Sequence, residues 1–295
     1  MSHLGVPKTY KLYVGGTFPR SESGRTYPVR TADGAFWANA AQASRKDVRD
    51  AVVAARKGFA GWSRAPPYNR GQVIYRIAEM LDGRRPEFVD LLVTGSAVDG
   101  KAAGAEVDAA VDRLVHYAGW TDKLGAVLGS ANPVSGPYFS YSAPEPTGVV
   151  GVLAPVGAPL LGLVSAVGPV LAGGNAAVLL AARADACVAV TFAEVVATSD
   201  VPGGVLNVLT GDPVETSPHL AAHGDVDALD LTGADGELRV RLEQAAAETL
   251  KRVYVPRTTP DFSADPGLGR LRAFLETKTV WHPTGALSLA GGSAY

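Results

Sequence analysis

Several things are scarce or missing in this chain of 295 residues, and each absence narrows its chemistry. It has one cysteine, Cys187. That excludes an internal disulfide framework and most cysteine-based metal sites. It has no excess of positive charge: 27 Lys and Arg face 29 Asp and Glu, for a net charge of −2. Nucleic acid and anionic membranes select basic patches, so neither is expected as a partner. The opening MSHLGVPKTYKLYVGG has no charged segment leading into an apolar one. It therefore reads as carrying no signal peptide, and a cytoplasmic location is expected. His116, His219, His223 and His282 show no metal-ligand spacing, so no metal is expected. The GxGxxG fingerprint of the usual dinucleotide fold is also missing.

Charge is absent from one long stretch, Thr147 to Ala182, a length that would suffice to span a membrane. Three prolines, frequent glycines and Asn175 interrupt it. It parses instead as strand (148–154), helix (about 159–172) and strand (176–182). Strands buried on both faces read as continuous apolar runs of this kind. The alternation continues with strands at 205–209, 227–231 and 251–255 and helices at 185–198 and 236–249, which argues a doubly wound parallel sheet. Upstream, KLYVGG (11–16) reads as a strand. Ser44 then reads as the N-cap of a helix with Asp47 in its first turn, whose buried face is Val48, Val52, Ala55, Phe59 and Trp62. Further helices are expected at about 69–93 and 104–123. KLGAVLG (123–129) and PYFSYSA (137–143) read as a hairpin, and TKTVWH (277–282) as a late strand. Asp225, Asp227 and Asp230, alternating along one short strand and its approach, read as solvated or capping residues.

The segments AVVAARKGFAGWS (51–63), HYAGWTDKLG (116–125), YFSYSAPEPTGVVGVLAP (138–155), GPVLAGGNAAVL (168–179), PGGVLNVLTGD (202–212), HGDVDALDLTGA (223–234) and FLETKTVW (274–281) resemble, in the same order, the NAD(P)-dependent aldehyde dehydrogenases. The fold implied is α/β: a Rossmann-like coenzyme domain (8–122 and 144–256) with an added β bridging or oligomerisation element (123–143 and 270–283). A loop (257–269) stands where the family carries its catalytic domain, and a loose tail (284–295) ends the chain. About a dozen residues cannot fold as a domain. The resemblance therefore implies that the catalytic domain and its nucleophilic cysteine are missing. Cys187 reads as a small buried thiol.

The resemblance also marks single positions. Pro155–Pro159 matches the loop whose asparagine stabilises an oxyanion, and Gly157 stands in its place, a donor worth about 3 kcal/mol in the transition state. Pro256 stands at the general-base glutamate. For the coenzyme, Leu180 replaces a ribose-binding lysine, Arg183 a residue of ribose recognition, and Ala234 a serine of the pyrophosphate turn. Pro155, Gly211, Thr232 and Gly233 remain. No bound cofactor is expected on these grounds, with weak NAD(P) binding as the exception allowed.

Together these features predict a chain that is no enzyme on its own: a pseudoenzyme subunit of an oxidoreductase complex. An isologous contact needs the same patch on both sides, and a chain without the catalytic sheet has nothing to offer an identical copy in return. The expected assembly is a hetero-oligomer with a full-length aldehyde dehydrogenase, joined by edge-strand addition through the element carrying Phe139, Tyr141, Lys278 and Val280. In the alternative, that element packs only on its own domain. A module that binds or senses NAD(P), and a non-catalytic part of an active aldehyde-oxidising complex, are the other readings.

Overall fold

The computed structural model describes residues 8–284. Chain order begins with β1 (Thr9–Tyr10), β2 (Thr26–Arg30) and β3 (Phe36–Ala41). These form a small sheet of order β1-β3-β2. Four helices follow: α1 (Arg45–Trp62), α2 (Pro67–Gly83), α3 (Arg85–Ser96) and α4 (Gly100–Trp120). Next come α5 (Leu124–Leu128), β4 (Ser130–Asn132) and β5 (Tyr138–Pro146). The alternating part is β6 (Val149–Leu153), α6 (Leu161–Ala172), β7 (Ala176–Leu180), α7 (Ala186–Ala197), β8 (Leu206–Leu209), α8 (Pro213–Ala221), β9 (Ala228–Asp230), α9 (Gly236–Ala247) and β10 (Arg252–Tyr254). The described chain ends with α10 (Gly269–Ala273) and β11 (Leu275–Pro283).

The five strands of the alternating part form one parallel sheet in the order β10-β9-β6-β7-β8. Strand order reverses beside β6, which is where open α/β sheets leave a crevice at their carboxyl ends. The uncharged stretch lies at the centre of this unit. Every residue of β6, α6 and β7 is buried, and among the described residues no helix is long and apolar enough to cross a membrane. Side chains alternate across the sheet into two cores. Val150, Val152 and Leu179 face α2, α4, α6 and α7, while Val149, Leu153 and Val178 face α1 and α8.

Local chemistry sets the element ends. Ser44 accepts from the backbone of Lys46 and Asp47, and Asp47 accepts in return from the Ser44 amide, a reciprocal cap. Where one helix was expected over 69–93 there are two. Pro86 has no N–H to give the preceding turn, so the helix stops at Gly83 and restarts. The strand expected at 11–16 is reduced to single bridges, Tyr13 to Val208 and Val14 to Thr17, because Gly15 and Gly16 turn the chain with positive φ. Residues 123–129 are not the first strand of the hairpin. They continue α4 as the short helix α5, and β4 at 130–132 pairs with β5 instead. A short apolar run of this kind carries no period that separates helix from strand.

β11 pairs with β5 along nine residues, from Leu275 opposite Pro146 to Pro283 opposite Tyr138. With β4 on the far side of β5, they make a three-stranded arm. The tail beyond residue 284 lies outside the described residues.

Candidate functional site

The carboxyl ends of β6 and β9 open into a cleft of about 790 Å³. It brings together six positions marked in the sequence: Pro155, Gly157, Thr232, Gly233, Ala234 and Pro256. Two of its turns need glycine for different reasons. Gly157 has φ +88° with open space around it, so its backbone conformation selects the residue. At Gly233 a Cβ would sit 2.0 Å from the Ala154 carbonyl oxygen, so the turn after β9 can approach the end of β6 only without a side chain. The Gly233 amide donates to the Leu153 carbonyl at 3.1 Å and holds that approach.

Two helices, α6 and α9, begin beside the cleft, and their first turns differ. The α6 terminus is occupied by a side chain: Glu106 Oε1 accepts from the amides of Leu160 (2.9 Å) and Leu161 (3.2 Å). At α9 the Asp235 side chain makes no capping bond, so the first turn, with Gly236 on the cleft wall, is left for water or an anion. Asp185, just before α7, is partly buried. Burial, reinforced by the negative charge of Glu106, lifts its carboxyl to about 6.

Leu180, Arg183 and Gly211 lie away from the cleft, at the ends of β7 and β8. Leu180 is buried. The Arg183 guanidinium lies 4.2 Å from the centre of the Tyr27 ring and donates to Gln42 Oε1 at 3.3 Å. Gly211, with φ +139°, passes close to the Ala43 amide and the Gln42 side chain. Cys187 is fully buried in α7, and burial pushes its thiol up to about 12. It stays protonated at neutral pH and has no nucleophilic character.

The arm places Phe139, Tyr141, Lys278 and Val280 on one face. Tyr141 stands opposite Val280, Ala143 opposite Lys278 and Phe139 opposite His282, and residues directly opposite in an antiparallel pair project to the same side. Phe139 is 51% exposed, Tyr141 is half-buried with its ring stacked on His282, and Lys278 reaches Glu145 at 3.0 Å in the open. The opposite face carries exposed Tyr138 and Trp281 in edge contact. The free edge of β11 has no strand beside it among the described residues.

Behind the cleft wall lie two residues that sequence reasoning missed, Arg270 and Arg113, and one that it read differently, Asp230. Asp230 does not stand in solvent as expected. Its carboxylate is buried and accepts from Arg270 Nη1 at 2.7 Å and from the Thr232 amide and hydroxyl. The signal was present, since a charge inside a strand of an otherwise buried sheet requires a partner. Of its two neighbours, Asp227 does cap: it accepts from the Val149 amide and from Arg56.

The model of the aldehyde dehydrogenase family matches residues 18–256. The chain belongs to the aldehyde dehydrogenase family. Among curated relatives, "Aldehyde dehydrogenase, cytosolic 1" of Elephantulus edwardii is 32% identical over 248 residues, which is 82% of this chain and 49% of that protein. The mitochondrial benzaldehyde dehydrogenase of Antirrhinum majus is 32% identical over 247 residues, 82% of this chain and 46% of its own length. Among solved structures, HpcC from Thermus thermophilus superposes with a TM-score of 0.79 at 29% identity, covering 83% of this chain and 47% of the other. The NAD+ complex of a Bacillus cereus aldehyde dehydrogenase gives 0.77 at 26% identity, with 83% and 50% covered. The chain thus spans about half the length of the relatives it matches. These matches correct one expectation. The chain was read as no enzyme on its own, but its relatives are named aldehyde dehydrogenases and its family is a family of enzymes.

Proposed function

We propose that this aldehyde dehydrogenase-family chain works within an aldehyde-oxidising assembly, with its three-stranded arm docked on a full-length aldehyde dehydrogenase. The observation that carries this reading is the common face of Phe139 and Tyr141 on β5 and Lys278 and Val280 on β11, which stands clear of the chain's own core beside the free edge of β11. Edge addition supplies backbone hydrogen bonds for affinity, and the aromatic side chains select the register. The element packed only on its own domain, weighed above, fits poorly with a Phe139 that is half exposed. We place the assembly in the cytoplasm, where a lone buried thiol such as Cys187 meets no oxidising pressure. The test is to express the chain with a full-length aldehyde dehydrogenase from the same genome and weigh the product by light scattering. A mixed oligomer is expected. A chain that always elutes alone as a monomer would sink the proposal.

A second reading has its own observation. The close approach at Gly233 and the uncapped first turn of α9 suit the phosphates of a dinucleotide, so we propose weak NAD(P) binding in the cleft. Titration calorimetry with NAD and NADP decides it. A millimolar to high-micromolar Kd is expected, and no heat at millimolar nucleotide removes the reading.

A further inference from the structure

Residues 257–263 cross the carboxyl end of the sheet and form the wall of the cleft that faces Pro155–Ala158 and Thr232–Gly236. Their attachment is unusual. Among the described residues, the only hydrogen bonds joining 257–267 to the rest of the chain come from one side chain. Arg113 of α4 donates from Nη2 to the carbonyls of Phe262 (2.7 Å) and Ala264 (2.9 Å), while its Nη1 reaches Ser165 Oγ at 3.1 Å. The segment's other bonds are internal turns at Asp261 and Asp265. Phe262 is its one inserted ring. It lies 5.8 Å from the Arg270 guanidinium, and its Cε2 is 3.4 Å from the place a Cβ on Gly162 would occupy. The rest of the segment is largely exposed. An element with one buried anchor and no ladder of backbone bonds opens at a far lower free energy than the sheet beneath it.

We infer that residues 257–264 form a lid on the cleft, latched by the Arg113 guanidinium, and that the latch must release before the Phe262 side of the cleft admits a ligand. The inference rests on the dinucleotide reading of the cleft for the identity of that ligand. A dinucleotide carries two ring systems. With the lid shut, the one that reaches the Pro155 and Gly162 side meets Phe262 in its place. The closed chain therefore binds a mononucleotide about as well as a dinucleotide.

The latch is tested without any ligand, by hydrogen exchange of amides 258–264 and by trypsin cleavage after Arg257, in the wild-type chain and in Arg113→Met. At least tenfold faster exchange confined to the lid, with β6 and β7 still protected, is expected. Unchanged exchange overturns the latch. Should Arg113→Met fail to fold, Phe262→Ala, which leaves both arginines in place, is expected to raise lid exchange in the same way, and unchanged exchange there overturns the lid. The gate is tested with AMP and NAD as probes. The two are expected to bind the wild type within about twofold of each other, with NAD at least fivefold tighter than AMP in the unlatched variant. An NAD-to-AMP ratio that stays the same in a variant with a faster-exchanging lid overturns the gate. If neither nucleotide binds either protein, the dinucleotide reading falls, and the exchange data still decide the latch.

Discussion

Arg270 Nη1 donates to Asp230 Oδ2 across 2.7 Å at a point where the carboxylate has no contact with solvent and the arginine side chain is 10% exposed. Asp230 is the last residue of β9, and Arg270 lies in the turn of helix that leads into β11. The pair therefore ties the root of the arm to the end of the sheet. The guanidinium also donates to Thr232 Oγ1 at 3.0 Å and lies over the Tyr254 ring. Removing one partner leaves the other charged and buried, which typically costs about 3–5 kcal/mol, a large fraction of the roughly 5–15 kcal/mol by which domains are stable. Arg270→Met is expected to lose that much in urea unfolding, and the double variant Arg270→Met/Asp230→Asn to recover at least half of it. Additive losses would show that the pair does not act as a unit.

Phe139 separates folding from docking. It is half exposed on the arm, so Phe139→Ser should change the stability of the isolated chain by less than about 0.5 kcal/mol. If the arm docks as proposed, the same change removes an aromatic anchor and weakens the mixed oligomer at least tenfold, or about 1.4 kcal/mol. Sedimentation equilibrium of wild type and variant with the full-length partner measures it.

Asp185 sets a pH dependence. Burial, then the charge of Glu106, lift its folded-state value from 3.8 to about 6. The folded chain therefore holds this proton over a range in which the unfolded chain has released it. The contribution to stability is complete below the unfolded value and is lost as pH rises through the folded one. Asp185→Asn stays neutral throughout. It is expected to match the wild type in acid and to exceed it by about 1–3 kcal/mol near pH 8. Denaturation curves at both ends of the range check this.

The two cleft glycines should respond to substitution to different degrees. Gly233→Ala drives a Cβ into the Ala154 carbonyl, where nothing but backbone can yield, and is expected to destabilise by more than about 2 kcal/mol. At Gly157 there is open space and only the positive φ to satisfy, which asparagine accepts better than most residues. Gly157→Asn is expected to stay within about 1 kcal/mol of the wild type and to place an amide in the cleft. Thermal melts of the two variants separate packing from backbone strain.

Cys187 should be silent to thiol reagents. It is fully buried with its thiol pushed up to about 12, so Ellman's reagent at neutral pH is expected to leave the folded chain unmodified. One thiol should appear when urea unfolds the protein. Fast labelling of the native chain would refute the buried position.

Much of the architecture was legible because its causes are local. The uncharged run from Thr147 to Ala182 had to fold as strand, helix and strand, and the spacing of Val48, Val52 and Ala55 had to make one buried helical face. The cap at Ser44 follows from which backbone groups a side chain can serve. The break beside Pro86 has an equally local cause, but sequence reasoning ran one helix through it. Where the apolar pattern was too short to carry a period, at residues 123–129, sequence reasoning chose strand and the chain made a helix. The shortness of the segment between β10 and α10 was also plain from the sequence.

Tertiary structure alone decided what those elements do together. Arg270 meets Asp230 from 40 residues away, and Arg113 meets the lid from 149 and 151 residues away. No local period or spacing encodes contacts of that range. They exist because the parallel sheet carries the ends of β6 and β9 to one side, and because α10 returns the chain to that side after the lid has crossed it. Sequence determined the parts and their order, through hydrophobic period and turn chemistry. Which charges are buried in pairs, and what closes the cleft, was settled only when the folded chain excluded water from them.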